Sequence, residues 1–198
     1  MTVSIDDIKK LKELTGIGLT DAKAVLTEAK GNFDKALEVL RKKGLTKADK
    51  KSDREAREGI IDSYVHSGRI GVLVEVNCET DFVARTDGFK EFAHAIALQI
   101  ASMSPRYISE ADIPADELER VRTEAKEKVI ASGKPAEMAD KIVEGQIKKH
   151  FADKVLLNQA YIMDDSMTVE TFLKENIAKM GENIVIRQFK RIELGMNE

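Results

Sequence analysis

Apolar positions fall first at helical intervals, then at alternate positions, then at helical intervals again, and this succession predicts the order of elements. Ile5, Ile8, Leu11 and Leu14 make the first stripe, with Ser4 and Asp7 placed ahead of it as a capping box. Gly16 and Gly18 break this helix, Gly16 suiting a left-handed position after its end. Thr20 is placed to cap a second helix carrying Ala22, Val25, Leu26 and Ala29. Gly31-Asn32 punctuates, and Phe33, Ala36, Leu37 and Leu40 repeat the spacing until Gly44 stops a third helix. Each helix is too short to persist alone, so residues 1–44 read as a three-helix module held by mutual burial of its stripes.

Between Arg41 and Glu58 the chain carries eight basic and four acidic residues and, apart from Leu45, no large apolar side chain. Residues 45–58 therefore read as a charged, solvated helical linker. A basic nucleic-acid patch would need interleaved aromatics for stacking, and this stretch has none.

From Ile60 the period changes to two. Ile60–Val65 and the run Ile70, Val72, Val74, Val76, Cys78 read as two arms of a hairpin whose turn is marked by Gly68. Phe89, Phe92, Ala93, Ile96, Ala97 and Ile100 then stripe a long helix that ends before Pro105 and covers one face of the hairpin. His94, off that stripe and near Leu98 and Ala101, reads as part of a second packed face. Residues 114–151 form a helical hairpin, striped by Leu118, Val121, Ala125 and Val129 on one arm and by Met138, Ile142 and Gly145 on the other. Ser132-Gly133-Lys134-Pro135 joins the arms. Narrow stripes and charged outer faces suit an antiparallel pair projecting into solvent. After a mixed, extended stretch from Leu156 to Met163, Val169, Phe172, Leu173, Ile177 and Met180 predict a helix stopped by Gly181. Ile184–Ile192 closes the pattern as a β-branched strand whose alternation shifts phase near Phe189, as at a bulge. The fold class is α+β: residues 59–198 form a core with an antiparallel sheet of about three strands covered by helices.

One stretch lies where strand gives way to helix: Asn77-Cys78-Glu79-Thr80-Asp81-Phe82-Val83-Ala84-Arg85. Thr80 and Asp81 are good caps, because their side-chain oxygens accept from the free N–H groups of a first turn. Phe82 then sits at the rim of the sheet. Two readings stand: a ring held outward on a stiff corner for a partner's pocket, or a ring folded back under the sheet.

Composition narrows the function classes. The chain has 198 residues, 42% hydrophobic and 34% charged, with net charge -3. No overall positive field recruits phosphate backbones, so direct nucleic-acid binding is disfavoured. No apolar run approaches the roughly 18 residues of a membrane helix. The start of the chain has an early acidic pair, Asp6-Asp7, and no apolar signal region. A single cysteine excludes an internal disulfide and suits a reducing compartment, the cytoplasm. Cys78 lies in phase with the buried face and has no neighbouring base, so it reads as core. His66, His94 and His150 are far apart in sequence, and no ligand spacing, phosphate loop or dinucleotide fingerprint occurs. These features describe a binding protein, not an enzyme, with no cofactor and no metal of its own.

Val3-Ser4-Ile5, and Leu11 through Thr15-Gly16-Ile17-Gly18-Leu19-Thr20-Asp21-Ala22-Lys23, closely resemble the opening of the translation elongation factor Ts family. Glu75-Val76-Asn77-Cys78-Glu79-Thr80-Asp81-Phe82-Val83-Ala84-Arg85 resembles that family's hallmark. Gly133-Lys134-Pro135, Val143-Glu144-Gly145 with Lys148-Lys149, and Gly181-Glu182-Asn183-Ile184 fit the same pattern. The resemblance implies a guanine-nucleotide exchange factor for elongation factor Tu, the GTPase that delivers aminoacyl-tRNA, working in the cytoplasm or, after processing, in an organellar matrix or stroma. It implies a ubiquitin-associated-type N-terminal module that holds the partner's GTPase domain, with Gly16, Ile17, Gly18 and Leu19 as its contact. It places Asp81 and Phe82 near the partner's Mg²⁺ site, framed by Thr80 and Val83. Longer members have two similar core halves, and here the hairpin and the T-D-F-V element match one half only. The single half implies pairing of two chains through their sheets, and a two-to-two complex with the partner. The alternative is an adaptor whose first 44 residues bind a partner without exchange activity.

Overall fold

The computed structural model describes residues 3–15, 17–131 and 136–196. Among them, α1 (Ile5–Thr15), α2 (Leu19–Glu28) and α3 (Phe33–Asp49) form the N-terminal bundle. Its core is Leu11, Ala22, Val25, Leu26, Ala29 and Ala36, with Ile8, Ile17, Phe33, Leu37 and Leu40 packed against it. Ser4 caps α1 by accepting from the Asp6 N–H at 3.2 Å. Asn32 caps α3 through the Lys35 N–H at 2.9 Å. The residue capping α2 is Gly18, without a side-chain bond, so Thr20 lies inside the first turn and does not cap it.

Two parts of the expected pattern give way here. Of the α1 stripe only Leu11 is fully buried, while Ile5 and Leu14 are 70% and 63% exposed. Nor does Gly44 stop α3, which runs on to Asp49. A Cβ at Gly44 would stand 3.4 Å from the Ala178 Cβ, so this glycine is a point of close helix approach. The following segment is not simply solvated. Arg41 pairs with Glu175 at 3.0 Å, Asp49 with Lys174 at 2.9 Å, and the Lys51 ammonium donates to the Gly181 carbonyl. Ala48 and Ala56 are buried.

β1 (Glu58–His66) and β2 (Ile70–Cys78) are joined by Ser67 and Gly68, at φ 50° and 67°, closed by the Arg69 N–H on the His66 carbonyl at 2.9 Å. Two consecutive left-handed residues are the turn that matches the twist of a tight hairpin. β5 (Ile184–Glu193) joins β2 to complete an antiparallel sheet of order β1-β2-β5, with helices packed around it. β2 buries Val72, Val74, Val76 and Cys78, and α5 (Asp87–Met103) buries all six residues of its predicted stripe. Along β5 the inward positions are Ile184 and Ile186, then Phe189 and Arg191, so the phase shifts between them.

α6 (Ala115–Ala131) and α7 (Ala136–Phe151) are the arms of the helical hairpin; the joining residues 132–135 lie outside the described ones, as does the Met138 side chain. The α6 stripe buries Val121, Ala125 and Val129 as spaced. On α7 the inward residues are Val143, Ile147 and Phe151, at intervals of four; Ile142 of the expected stripe packs with Ile147 against the cluster of Ala125, Val129 and Val143, while Gly145 faces solvent. At the root, the Tyr107 hydroxyl donates to the Glu117 carboxylate, which raises the phenol's pKa and lowers the acid's. A second sheet pairs β3 (Ala160–Tyr161), inside the stretch expected to be extended, with β4 (Asp164–Thr168), which has no counterpart in the expected pattern. α8 (Val169–Met180) ends as predicted at Gly181, whose φ of 81° places it in the left-handed region.

The chain divides into two compact units. One comprises Met1–Ile61, Glu75–Ala93 and Thr171–Arg187, and the other Asp62–Val74, His94–Glu170 and Gln188–Glu198. No helix among the described residues is long and apolar enough to cross a membrane.

Gly59 has φ 149°, and a Cβ there would meet the Val76 carbonyl oxygen at 2.1 Å and the Asn77 Cα at 2.7 Å. Neither obstacle is a flexible side-chain end. Gly59→Ala is expected to cost roughly 3 kcal/mol or more of stability, through strain at a position only glycine suits. Denaturant unfolding of the two proteins side by side checks this.

Candidate functional site: the corner after strand β2

β2 stops at Cys78, and after Glu79 and Thr80 the chain enters α4 (Asp81–Ala84). Thr80, extended at φ -130° and ψ 153°, caps this single turn, its hydroxyl accepting from the Val83 N–H at 3.4 Å. Asp81 forms an ion pair with Arg85 one turn on, at 2.8 Å. Ala84 and Cys78 point inward and are almost fully enclosed, while Phe82 is 79% exposed. That exposure removes the reading in which the ring folds under the sheet. A turn this short buries one face, and small Ala84 takes the inward place, leaving Phe82 on the outside.

The backbone of the corner is held from the far end of the chain. Glu182, just beyond the left-handed Gly181, accepts at Oε2 from the N–H groups of Glu79 at 3.1 Å and Thr80 at 3.0 Å. Its Oε1 accepts from the Thr80 hydroxyl at 2.7 Å. Glu79 returns the contact, its Oε1 accepting from the Asn183 N–H at 2.6 Å and lying 3.5 Å from Arg54. The Asn183 amide donates to the carbonyls of Ser52 and Arg54, at 3.2 and 2.7 Å. Arg187 donates to Asn77 Oδ1 and to the Ala56 carbonyl, both at 3.0 Å. Glu79 and Glu182 lie in two of the stretches that carry the resemblance, but their pairing was not legible, because residues about a hundred positions apart leave no periodic trace of it.

Cys78 is sealed in the core, its thiol bonded to the Thr80 carbonyl at 3.1 Å. Burial first, and the charge of Glu182 second, push the thiol up to about 11, so it stays protonated near neutrality.

The N-terminal residues fare unevenly. Gly16 lies outside the described residues, Ile17 packs half-buried on the bundle core, and Gly18 opens α2. Leu19 is 52% exposed. Ile5 and Leu14, which the stripe assigned to the core, join it as exposed apolar side chains of the bundle.

Of the histidines, His94 departs from its predicted packing. His94 is not in a second packed face: it is exposed, with Nδ1 3.0 Å from Asp62 Oδ2. Tyr64 lies between it and His66, edge-on to the first ring and hydrogen-bonded to the second at 2.9 Å. His150 Nε2 sits 2.7 Å from the Lys154 ammonium. No group of three or more His, Cys, Asp or Glu among the described residues is placed to hold a metal ion.

Comparison with known proteins shows the family. The model of the family described as Elongation factor TS matches residues 3–196. The chain belongs to the elongation factor Ts family. It is 48% identical over 196 residues to the elongation factor Ts of Fervidobacterium nodosum, covering 98% of this chain and 100% of that one. It is 52% identical over 194 residues to that of Thermoanaerobacter sp. strain X514, covering 98% and 95%. With the protein of Herpetosiphon aurantiacus it shares 47% identity over 198 residues, the full length of both.

Since the Phe82 ring has little native contact to lose, Phe82→Ala is expected to change folding stability by no more than about 0.5 kcal/mol. A large drop in the denaturation midpoint would return the ring to the core.

Proposed function

We propose that the protein is a guanine-nucleotide exchange factor of translation elongation, acting on elongation factor Tu in its GDP form, in the cytoplasm, without making or breaking a bond. The observation that carries the reading is the outward Phe82 on its braced corner. Membership of the elongation factor Ts family supports it. A bound nucleotide diphosphate is held by Mg²⁺ and by a phosphate loop, and the metal offsets most of the phosphate charge. Phe82 and Asp81, entering beside that metal and framed by Thr80 and Val83, disturb its surroundings and weaken the hold on GDP. The factor then acts by differential affinity. It binds the nucleotide-free partner more tightly than the GDP form, and GDP weakens the factor by the same ratio. Ile17, Gly18 and Leu19, with the exposed Ile5 and Leu14, supply a separate grip on the partner. The same exposed residues favour the second reading, an adaptor that binds through the bundle alone.

Release of a fluorescent GDP from elongation factor Tu separates the two. The exchange reading expects release to accelerate, and Phe82→Ala to remove most of the acceleration while losing on the order of 2–4 kcal/mol of binding. Binding with no acceleration would establish the adaptor.

Pairing of two copies is part of the same proposal. Val65 on β1, Leu73 on β2 and Ile192 on β5 are 67%, 54% and 73% exposed on the strands of one sheet. A second copy covering them removes that apolar surface from water. The mass in solution at micromolar concentration is expected at twice 22.1 kDa. A single species of 22.1 kDa overturns the pairing.

A further inference from the structure

We infer that Glu182 is a positioning residue for exchange, holding Asp81 and Phe82 at the angle from which they act. The inference rests on the function proposed above and names the group that makes the corner stiff.

A ring that is 79% exposed receives almost no orientation from packing. Its direction is therefore inherited from the backbone beneath it. The α4 turn has only four residues, too few to be stable by its own hydrogen bonds. Buried Ala84 and the Thr86 bonds to the Val83 carbonyl hold its exit, and at its entrance three bonds converge on one carboxylate. Glu182 accepts from two consecutive backbone N–H groups and from the Thr80 hydroxyl. The third bond does more than add a contact. With its proton donated to Glu182, the Thr80 oxygen turns a lone pair to the Val83 N–H, which is the capping bond of α4. The carboxylate thus sets the two residues before the turn and, through Thr80, the turn itself. Bonds to a charged acceptor are stronger than neutral ones, and a carboxylate has lone pairs for all three donors.

The side chain that does this is aimed by its own surroundings. Gly181, left-handed at φ 81°, ends α8 with its N–H on the Ile177 carbonyl at 3.0 Å. The next residue but one, Asn183, is pinned by Glu79 and by the carbonyls of Ser52 and Arg54. Glu182 is therefore fixed on both sides. Its reach matters more than its charge. Glutamine of the same length keeps an oxygen for the two N–H groups and offers an amide to the Thr80 oxygen, whereas alanine offers nothing.

Two measurements on full-length Glu182→Ala and Glu182→Gln test this. In the free protein, amide hydrogen exchange over residues 79–84 is expected to speed up at least tenfold in the alanine variant and to stay near the parent rate in the glutamine variant. With elongation factor Tu carrying a fluorescent GDP, the alanine variant is expected to lose roughly 10- to 100-fold in the maximal release rate, the scale on which a misplaced acting group costs rate. Its half-saturating concentration is expected to stay within about twofold, and glutamine is expected to restore the rate. A merely structural glutamate would lower the melting temperature and raise the half-saturating concentration without this split. Unchanged amide exchange at the corner in the alanine variant overturns the inference whatever the release assay shows, as does failure of glutamine to restore either readout. If alanine does not fold, Thr80→Val, which removes the bridging hydroxyl at constant volume, must still show faster exchange at Val83, or the inference falls. If the unaltered protein fails to speed release while the amide pattern holds, the proposed function falls and the bracing stands.

Discussion

Backbone donors at the end of a strand need acceptors, and in this protein a carboxylate from the last quarter of the chain supplies them. A strand that turns into a single helical turn leaves N–H groups with neither a ladder nor a preceding turn to satisfy them. Water would accept from them equally well but would hold nothing in place. Glu182 both satisfies and fixes them, and Glu79 answers by accepting from the backbone beside Glu182. Because each acid serves the backbone of the other's loop, neither loop can shift without breaking bonds in both. Two like charges are tolerated in such proximity because each is surrounded by donors, Arg54 among them.

The enclosed side of the corner is made of small groups. Cys78 and Ala84 lie flush beneath it, which lets the turn sit close to the strand end and leaves no room inside for a benzyl ring. The exposure of Phe82 is thus the outcome of its neighbours' sizes as much as of its own position. Protonation of Cys78 belongs to the same economy of space: a thiolate there would be buried without a cation and beside the charge of Glu182.

Elements with strong periodicity were legible from the residues alone. The hairpin, the buried face of α5, the phase shift in β5 and the stop at Gly181 all follow from spacing and from turn chemistry. Periodicity misled where an element meets others along only part of its length. The α1 stripe continues to Ile5 and Leu14, yet only its middle reaches the other two helices, and both ends face water. On α7 the inward row Val143, Ile147 and Phe151 runs beside the expected Ile142, and the stripe goes wrong at Gly145, which faces solvent. Gly44 looked like punctuation because glycine usually is, whereas here it makes room for Ala178. Strand β4 escaped because Asp164, Asp165 and Ser166 carry no alternating apolar signal. As for the corner, caps and ring were visible at once. The direction of the ring was not, since one aromatic residue in one turn has no period, and its support comes from residues 102 positions away.

The loop from Gly181 to Asn183 serves two clients. It receives Lys51 and holds the carbonyls of Ser52 and Arg54, on the stretch leading out of the N-terminal bundle, and it also carries the acid that braces Phe82. The exit of the bundle and the footing of the ring therefore hang on one loop, joined by hydrogen bonds and not by a slack tether.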